Sequence, residues 1–438
     1  MPAPFALPAP FALTDAHQQR QAEVRALARE VLLPLARAGQ PGRVNRKLVR
    51  ALGDHGLIAR LVSRDASASA LELCLLREAL AQECPEAETA LALQGLGGHP
   101  IAAAGDDALA RRWVPAVATG EAVAAFALSE PRAGSDAAGI ELAAGPDGDG
   151  WRLVGEKAWI SNAPDADVYT VFARTTPDAR SRGVTAFAVP GDAPGLDGEH
   201  LDMLAPHAIG RLIFDGVRVG REQVLGRVDE GFTLAMRTLD RYRPSVGAFA
   251  VGMAQAALDA AVAHAASRQT FGRPLREFQA ISHPLAEMAT RTEAARLLVY
   301  AAASRYDAGA GGVTQFAAMA KLYATETAQW VVDAAIQIHG ARALVRGHLL
   351  EHLYREVRAP RIYEGTSEIQ RTVIARELFQ RHTEQAQALL GGRRRGPGNP
   401  EGVPRWGRGS ELPLRGSRAA ARSTLPRPHP DQPKGNPP

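Results

Sequence analysis

Phe126-Ala127-Leu128-Ser129-Glu130-Pro131-Arg132-Ala133-Gly134-Ser135-Asp136 is the hinge on which the fold turns. A short apolar strand ends at Leu128–Ser129, Pro131 turns the chain, and a small Ala-Gly-Ser segment exposes backbone N–H groups. Successive N–H groups in such a turn form an anion-binding concavity, to which a serine hydroxyl adds a donor. A plain tight connection between two elements would use the same residues. Before this stretch, from Thr14 to about residue 120, every apolar pattern has helical period. Thr14 reads as the N-cap of a helix to about Ala38, with Val24, Leu27, Ala28, Val31 and Leu32 on one stripe. Asn45 caps a short second helix that stops at Gly56. Helical runs follow at 66–83, 87–95 and 106–119, separated by Cys84-Pro85 and by a Gly95–Pro100 loop.

From Val123 onward, short Val-, Ile-, Phe-, Tyr- and Trp-rich runs alternate with turn clusters: 123–129, 151–161, 168–174, 184–189 and 211–219. Strands in this number without intervening helices predict an antiparallel sheet or small barrel. Helical period returns near 231, with long segments at about 244–267, 276–308, 313–339 and 367–390. Four such helices with mostly short connections predict an antiparallel bundle, and the irregular 340–366 connection is a place for function. The expected fold is therefore α+β: an extended arm at 1–13, a helical domain at 14–122, a middle antiparallel β-domain at 123–230, a four-helix bundle at 231–390, and a tail at 391–438.

The 438 residues are 46% hydrophobic and 22% charged, which suits a large buried core. The formal charge of +4 hints at an anionic partner, but the tail alone carries nine Arg and Lys434 against three acids, leaving the body mildly acidic. Ten Pro and nine Gly in that tail predict disorder. No nucleic-acid partner is expected. No long apolar run lacks a polar break, so no membrane span is expected either. Cys74 and Cys84 cannot build a disulfide framework or a zinc site and read as small buried apolar residues. The PAPFAL repeat at 2–13 lacks the basic start of a signal peptide, so the expected location is cytoplasmic.

Three further stretches can carry chemistry. Trp159-Ile160-Ser161-Asn162 pairs an indole, able to stack on a planar ring, with a hydroxyl able to bond the ring's edge; core packing and a turn explain it equally. Arg268-Gln269-Thr270-Phe271-Gly272 holds out a guanidinium at a helix end, where the helix dipole favours Arg in any case. In Tyr363-Glu364-Gly365-Thr366-Ser367-Glu368-Ile369-Gln370, Ser367 and Gln370 suit a capping box and Gly365 permits a sharp turn. A carboxylate at Glu364, desolvated between helices, would become a useful proton acceptor; a solvated loop glutamate explains these eight residues alone better.

In this order, LSEPRAGSD (128–136), GEKAWISNA (155–163), RQTFGRPL (268–275) and RIYEGTSEIQR (361–371) make the chain resemble the acyl-CoA dehydrogenase family over about 14–385. The resemblance implies FAD as cofactor, an acyl-CoA substrate and an electron-transferring flavoprotein as acceptor. It implies a homotetramer, a dimer of dimers, or a homodimer. Phe126, Leu128 and Ser129 match residues lining the flavin, Trp159 and Ser161 those flanking and bonding its ring, and Gly134 and Ser135 those near the FAD diphosphate and CoA. Arg268, Thr270, Phe271 and Gln279, with Gln337 and Gly340, match residues that reach FAD held mainly by a neighbouring subunit. Asp240 and Arg243 match a CoA-contacting pair, Tyr363 and Gly365 flank the substrate, and Thr366 and Glu368 match FAD contacts.

Glu364 matches the catalytic base; relatives that place the carboxylate on another helix do so at the position of Tyr242. By resemblance, Glu364 takes the α-proton while the β-hydride passes to flavin N5, giving a trans-2-enoyl-CoA. Two departures stand out. Gln337-Ile338-His339-Gly340-Ala341-Arg342-Ala343 replaces the family's Gln-x-x-Gly-Gly-x-Gly, and Ser63-Arg64-Asp65 stands in place of a Pro-Glu-x-x-Gly-Gly segment. Alternatives are an oxidase of the same fold using oxygen or a non-CoA substrate, and a catalytically silent scaffold binding CoA esters.

Overall fold

The computed structural model describes residues 13–64 and 68–392, with side chains described to Glu384. The expected arm before Leu13 and the basic tail beyond Gly392 lie outside the described residues. The helical start follows its caps. Thr14 accepts a hydrogen bond from the His17 N–H and opens α1 (Asp15–Leu27), which continues through a π-turn at Ala28–Leu32 into α2 (Leu33–Arg37). Asn45 caps α3 (Arg46–Asp54), and α4 (Ala70–Glu83) follows Ser69.

The expected loop at Gly95–Pro100 is absent: α5 runs unbroken over Pro85–Ala104, with Pro100 inside it, before α6 (Asp107–Ala118). The glycines serve packing instead of a turn. A Cβ on Gly97 would lie 2.5 Å from the Ala125 backbone nitrogen, so only glycine lets the sheet come this close to the helix. Gln94 ties the same junction, accepting from the Ala124 N–H and donating to the Ala122 carbonyl.

The middle domain is built from β1 (Ala124–Ala127), β2 (Ala143–Asp147), β3 (Gly150–Ser161), β4 (Val168–Arg174), β5 (Val184–Pro190), β6 (Leu196–His200), β7 (Ile209–Val219) and β8 (Val224–Leu225). The strands run in the order β6-β7-β3-β2-β4-β5-β8, with β1 paired to β4. Neighbours are antiparallel except at β4, which meets both β1 and one residue of β2 in parallel. Three strands were not apparent from period-two alternation: β2, β6 and β8.

The C-terminal bundle is built around α7 (Gly231–Ser267), α8 (Gln279–Asp307) and α9 (Val313–His339), with the tiny strands β9 (Gln269–Thr270) and β10 (Arg273–Pro274) after α7. The first helix starts thirteen residues earlier than its periodicity suggests, because Pro244 lies within it rather than at its start. Among the described residues, α7 alone is long and apolar enough to cross a membrane, but 72% of its most apolar window is buried inside the fold, as in a core helix. Two helices follow, the short α10 (Leu349–Glu356) and the 26-residue α11 (Ser367–Gly392). Of the described α11 side chains only Ser367 and Gln370, in the first turn, are buried; Leu378 and Phe379 are 50% and 74% exposed.

Two cores result. One joins the N-terminal helices to the sheet; the other fills the bundle and takes in Cys74 and Leu75 of α4, so α4 bridges them. Both cysteines are free and buried, as expected, and burial pushes both thiols up. Glu356 on α10 is 6% exposed with Glu86 and Glu88 in its field, and burial pushes its carboxyl up to about 8. Unfolded, it ionises near 4.5. The folded chain therefore holds a proton that the unfolded chain lacks between these values. This stability is present below about pH 4.5 and is lost as the pH rises to about 8, on the order of 5 kcal/mol. Glu356→Gln is expected to flatten the fall in denaturation midpoint over that range.

Candidate active site

The Leu128–Asp136 stretch is held from beneath by a buried ion pair. Lys157 on β3 is fully buried and donates 2.8 Å bonds to the Leu128 carbonyl and to Glu130 Oε1. Glu130 also accepts from the Glu141 and Leu142 N–H groups. Burial lowers the Lys157 ammonium to about 8, and the Glu130 carboxylate opposes that shift. Above this anchor, the pairing of β3 with β7 slips between Lys157 and Ile160, leaving Ala158 and Trp159 opposite one residue. This bulge gives Trp159 a left-handed φ of 61° and turns its indole outward, 55% exposed. Ala158 then donates to the Ser129 carbonyl at 3.0 Å, which joins the two motifs. Pro131, Ala158, Trp159, Leu201 and Arg211 line a shallow groove of about 230 Å³.

Phe126 packs its ring 4.8 Å from Phe172 beside Leu128, while Gly134 and Ser135 are exposed at the rim. The hydroxyls of Ser129, Ser135 and Ser161 make no hydrogen bond within the described residues. A Cβ on Gly134 would meet nothing within 4 Å.

The second cluster surrounds Glu364. Glu364 and Gly365 have φ of 51° and 89°, so the loop bends twice through left-handed backbone before α11. It is clamped by side chains. Gln370 donates to the Glu364 and Gly365 carbonyls at 3.1 and 3.0 Å, and Lys321 on α9, fully buried, donates to the Gly365 carbonyl at 2.7 Å. The expected capping box is corrected. Thr366 is the cap, accepting from the Ile369 N–H, while Ser367 donates to Glu326 at 2.6 Å. Being first in the helix, Ser367 is one residue too late to cap it.

Glu364 Oε2 is shut off from solvent without a partner. Burial raises its carboxyl above the usual range, and Arg77, Arg243 and Lys321 pull it back. Arg243 is held by Asp240 at 2.7 Å, and Arg77 by a buried bond to Glu88. Lys321 thus both holds the loop and supplies one of three nearby cations. Lys321→Met is expected to raise the Glu364 pKa further, so its acid-side loss of activity moves to higher pH and activity at neutral pH falls about tenfold. A pH–rate profile checks this. A fall in activity with an unmoved profile would make the lysine merely structural.

Arg268, Thr270, Phe271 and Gln279 gather elsewhere. Phe271 is 91% exposed at φ 48°, and Arg268 lies near His264, whose ring stacks 4.2 Å from His339 beside Gln337 and Gly340. Gly340 keeps the left-handed position (φ 65°), whereas Ala341 and Ala343 fall in a 3-10 turn without one, so the two methyl groups are accommodated. Along α7, Arg243 and Arg268 stand ~37 Å apart at 1.5 Å per residue. They cannot serve the same reacting atoms within one chain. Thr366 caps α11, and Glu368 is exposed on its first turn.

Sequence reading missed Lys157, Lys321 and the Arg77–Glu88 pair, and gave Gln370 to a capping box where it instead holds the Glu364 and Gly365 carbonyls. One signal was available: in a chain with four lysines and 47 arginines, a lysine inside an apolar run is conspicuous.

An aromatic-and-hydroxyl platform on the sheet and a sequestered carboxylate among helices suit an enzyme that holds a planar cofactor beside a proton acceptor. Residues 14–121, 125–217 and 229–379 match the N-terminal, middle and C-terminal domains of acyl-CoA dehydrogenase. The chain is 38% identical over 376 residues to the short-chain specific acyl-CoA dehydrogenase of Bos taurus mitochondria, covering 84% of this chain and 91% of that protein. It is similar to the solved butyryl-CoA dehydrogenase of Megasphaera elsdenii (TM-score 0.79, 32% identity, 84% of this chain and 99% of that one). It is also similar to the structure of PigA with FAD and proline (TM-score 0.80, 27% identity, 85% and 99%). The chain belongs to the acyl-CoA dehydrogenase family. It is an oxidoreductase acting on CH–CH bonds, with FAD as its cofactor. The residues present fit that group: an outward Trp159 indole, the Ser129, Ser135 and Ser161 hydroxyls without a partner among the described residues, and open space at Gly134.

Proposed function

We propose that this chain dehydrogenates an acyl-CoA thioester between its α and β carbons, giving a trans-2-enoyl-CoA. The observation that carries the reading is the unpartnered Oε2 of Glu364, shut off from water among three cations. In the proposal, Glu364 is the base that takes the α-proton. The Glu364 N–H, which has no partner among the described residues, donates to the thioester oxygen as negative charge develops there. Asp240 and Arg243 bind the CoA portion, Tyr363 and Gly365 line the substrate, and Gly134 and Ser135 close over the anionic groups at the rim. Phe126, Leu128, Ser129, Trp159 and Ser161 would hold the isoalloxazine ring, and Thr366 and Glu368 would contact FAD. FAD, when bound, supplies the two-electron acceptor for the β-hydride.

The Arg268, Thr270, Phe271, Gln279, Gln337 and Gly340 group serves FAD held by a second copy of the chain. The ~37 Å along α7 and the exposed Phe271, Leu378 and Phe379 support that assembly, a homotetramer or homodimer. An electron-transferring flavoprotein is the proposed acceptor. The likeness to PigA with FAD and proline favours, as second reading, a non-CoA substrate. Turnover coupled to electron-transferring flavoprotein, against peroxide release in air, with acyl-CoA and amino-acid substrates in parallel, separates the readings. Enoyl-CoA formed only with the flavoprotein supports the first.

A further inference from the structure

Between α4, α5 and α7, beside Glu364, the Tyr242 ring crosses from one helix to the next. Tyr242 is 1% exposed, and its hydroxyl is shut off from solvent without a hydrogen-bond partner. On α5, a Cβ added to Gly95 would lie 2.4 Å from that hydroxyl, 3.0 Å from Tyr242 Cε1 and 2.7 Å from Leu61 Cδ2. The phenol therefore rests on bare helix backbone, and the space between α5 and α7 is filled at this level. His99, one turn along α5, sets its ring 6.1 Å from the Tyr242 ring. Glu364 lies near enough for its charge to act on both Tyr242 and Arg77.

One turn along α7, Ser245 accepts a 2.6 Å bond from Arg77 and donates one to the Tyr242 carbonyl. Arg77 and Glu88 form a fully buried ion pair there. Farther on, a Cβ at Gly252 would lie 2.4 Å from the Glu78 carbonyl, so α4 and α7 touch backbone to backbone. In the inferred arrangement, a hydrocarbon tail whose α-carbon sits at Glu364 runs toward the phenol. To extend past it the tail must displace the ring or lie against the buried charges, which it cannot hydrogen-bond.

We infer that Tyr242 closes the acyl-binding space and confines this chain to CoA thioesters of short acyl groups, an inference resting on the dehydrogenase reading above. The ring acts as a stop at the end of the pocket. In an open channel each added methylene tightens binding, whereas against a stop it does not.

The test uses the FAD-loaded full chain, as wild type, Tyr242→Ala and Tyr242→Phe. Anaerobic flavin bleaching is followed with butyryl-, octanoyl- and palmitoyl-CoA, and calorimetry measures binding of four- and eight-carbon S-alkyl-CoA thioethers. Wild type is expected to bleach at least tenfold faster with butyryl- than with octanoyl-CoA and to gain no affinity from the longer thioether. Tyr242→Phe keeps both preferences; Tyr242→Ala narrows the rate ratio at least tenfold and binds the longer thioether more tightly. Equal wild-type rates with butyryl- and octanoyl-CoA, or a rate ratio unchanged in a yellow Tyr242→Ala protein, would overturn the inference. If Tyr242→Ala loses FAD, the wild-type rate and affinity ratios decide it alone. Bleaching by none of the esters defeats the dehydrogenase reading as well, and the thioether affinities then show whether CoA compounds bind at all.

Discussion

Glu364→Gln is expected to lower turnover by about 10⁴-fold while the protein stays yellow, the upper range for loss of a positioned general base. The substitution is nearly isosteric. Lys321 and Gln370 grip the loop through the carbonyls of residues 364 and 365, which the change leaves in place. What disappears is the proton acceptor. An α-proton beside a thioester does not leave unaided, and no other described carboxylate is known to share the loop's cationic setting with an unpartnered, sealed oxygen. Because burial raises the Glu364 pKa, wild-type activity is lost as the pH falls through a value above the ordinary carboxylate range. Retained turnover in the Gln variant would remove Glu364 from the role of base.

Lys157→Met is expected to cost about 3–5 kcal/mol of stability and to weaken FAD retention. Lys157 and Glu130 are 0% and 4% exposed, so removing the ammonium leaves the carboxylate buried with only two N–H partners. The same ammonium holds the Leu128 carbonyl, so the strand end bearing Ser129 is released with it. Denaturant unfolding and the flavin absorbance of the purified variant measure the two effects. Adding Glu130→Gln should recover part of the loss, since the stranded charge is then gone. A variant as stable and as yellow as wild type would show that the pair does not anchor the platform.

Much of this was readable beforehand because it is local. The caps at Thr14 and Asn45, the switch from helical to strand period near Val123 and the left-handed turn before α11 each depend on a few neighbouring residues. Gly95, Gly97 and Gly98 misled because glycine marks both a turn and a close approach, and only the neighbours brought in by the fold, the Tyr242 ring, the backbone of β1 and the Val62 and Val117 side chains, distinguish the two. The outward aim of Trp159 follows from a bulge, which period-two alternation does not reveal. Ser367 and Thr366 are both good caps, and the choice between them falls to Glu326, 41 residues before Ser367. The partners of the buried lysines were invisible for a related reason: Lys157 and Lys321 are satisfied by carbonyls distant in sequence.

The central claim is that Glu364 stands ready to take a proton from a bound acyl-CoA whose hydride leaves to FAD. Its most direct measurement is anaerobic addition of butyryl-CoA to the yellow full-length protein, with the visible flavin absorption followed in wild type and Glu364→Gln side by side. The account predicts rapid loss of colour in wild type and a persistent yellow in the variant. A wild-type protein that binds the thioester yet stays yellow, or a variant that bleaches at the wild-type rate, would contradict it.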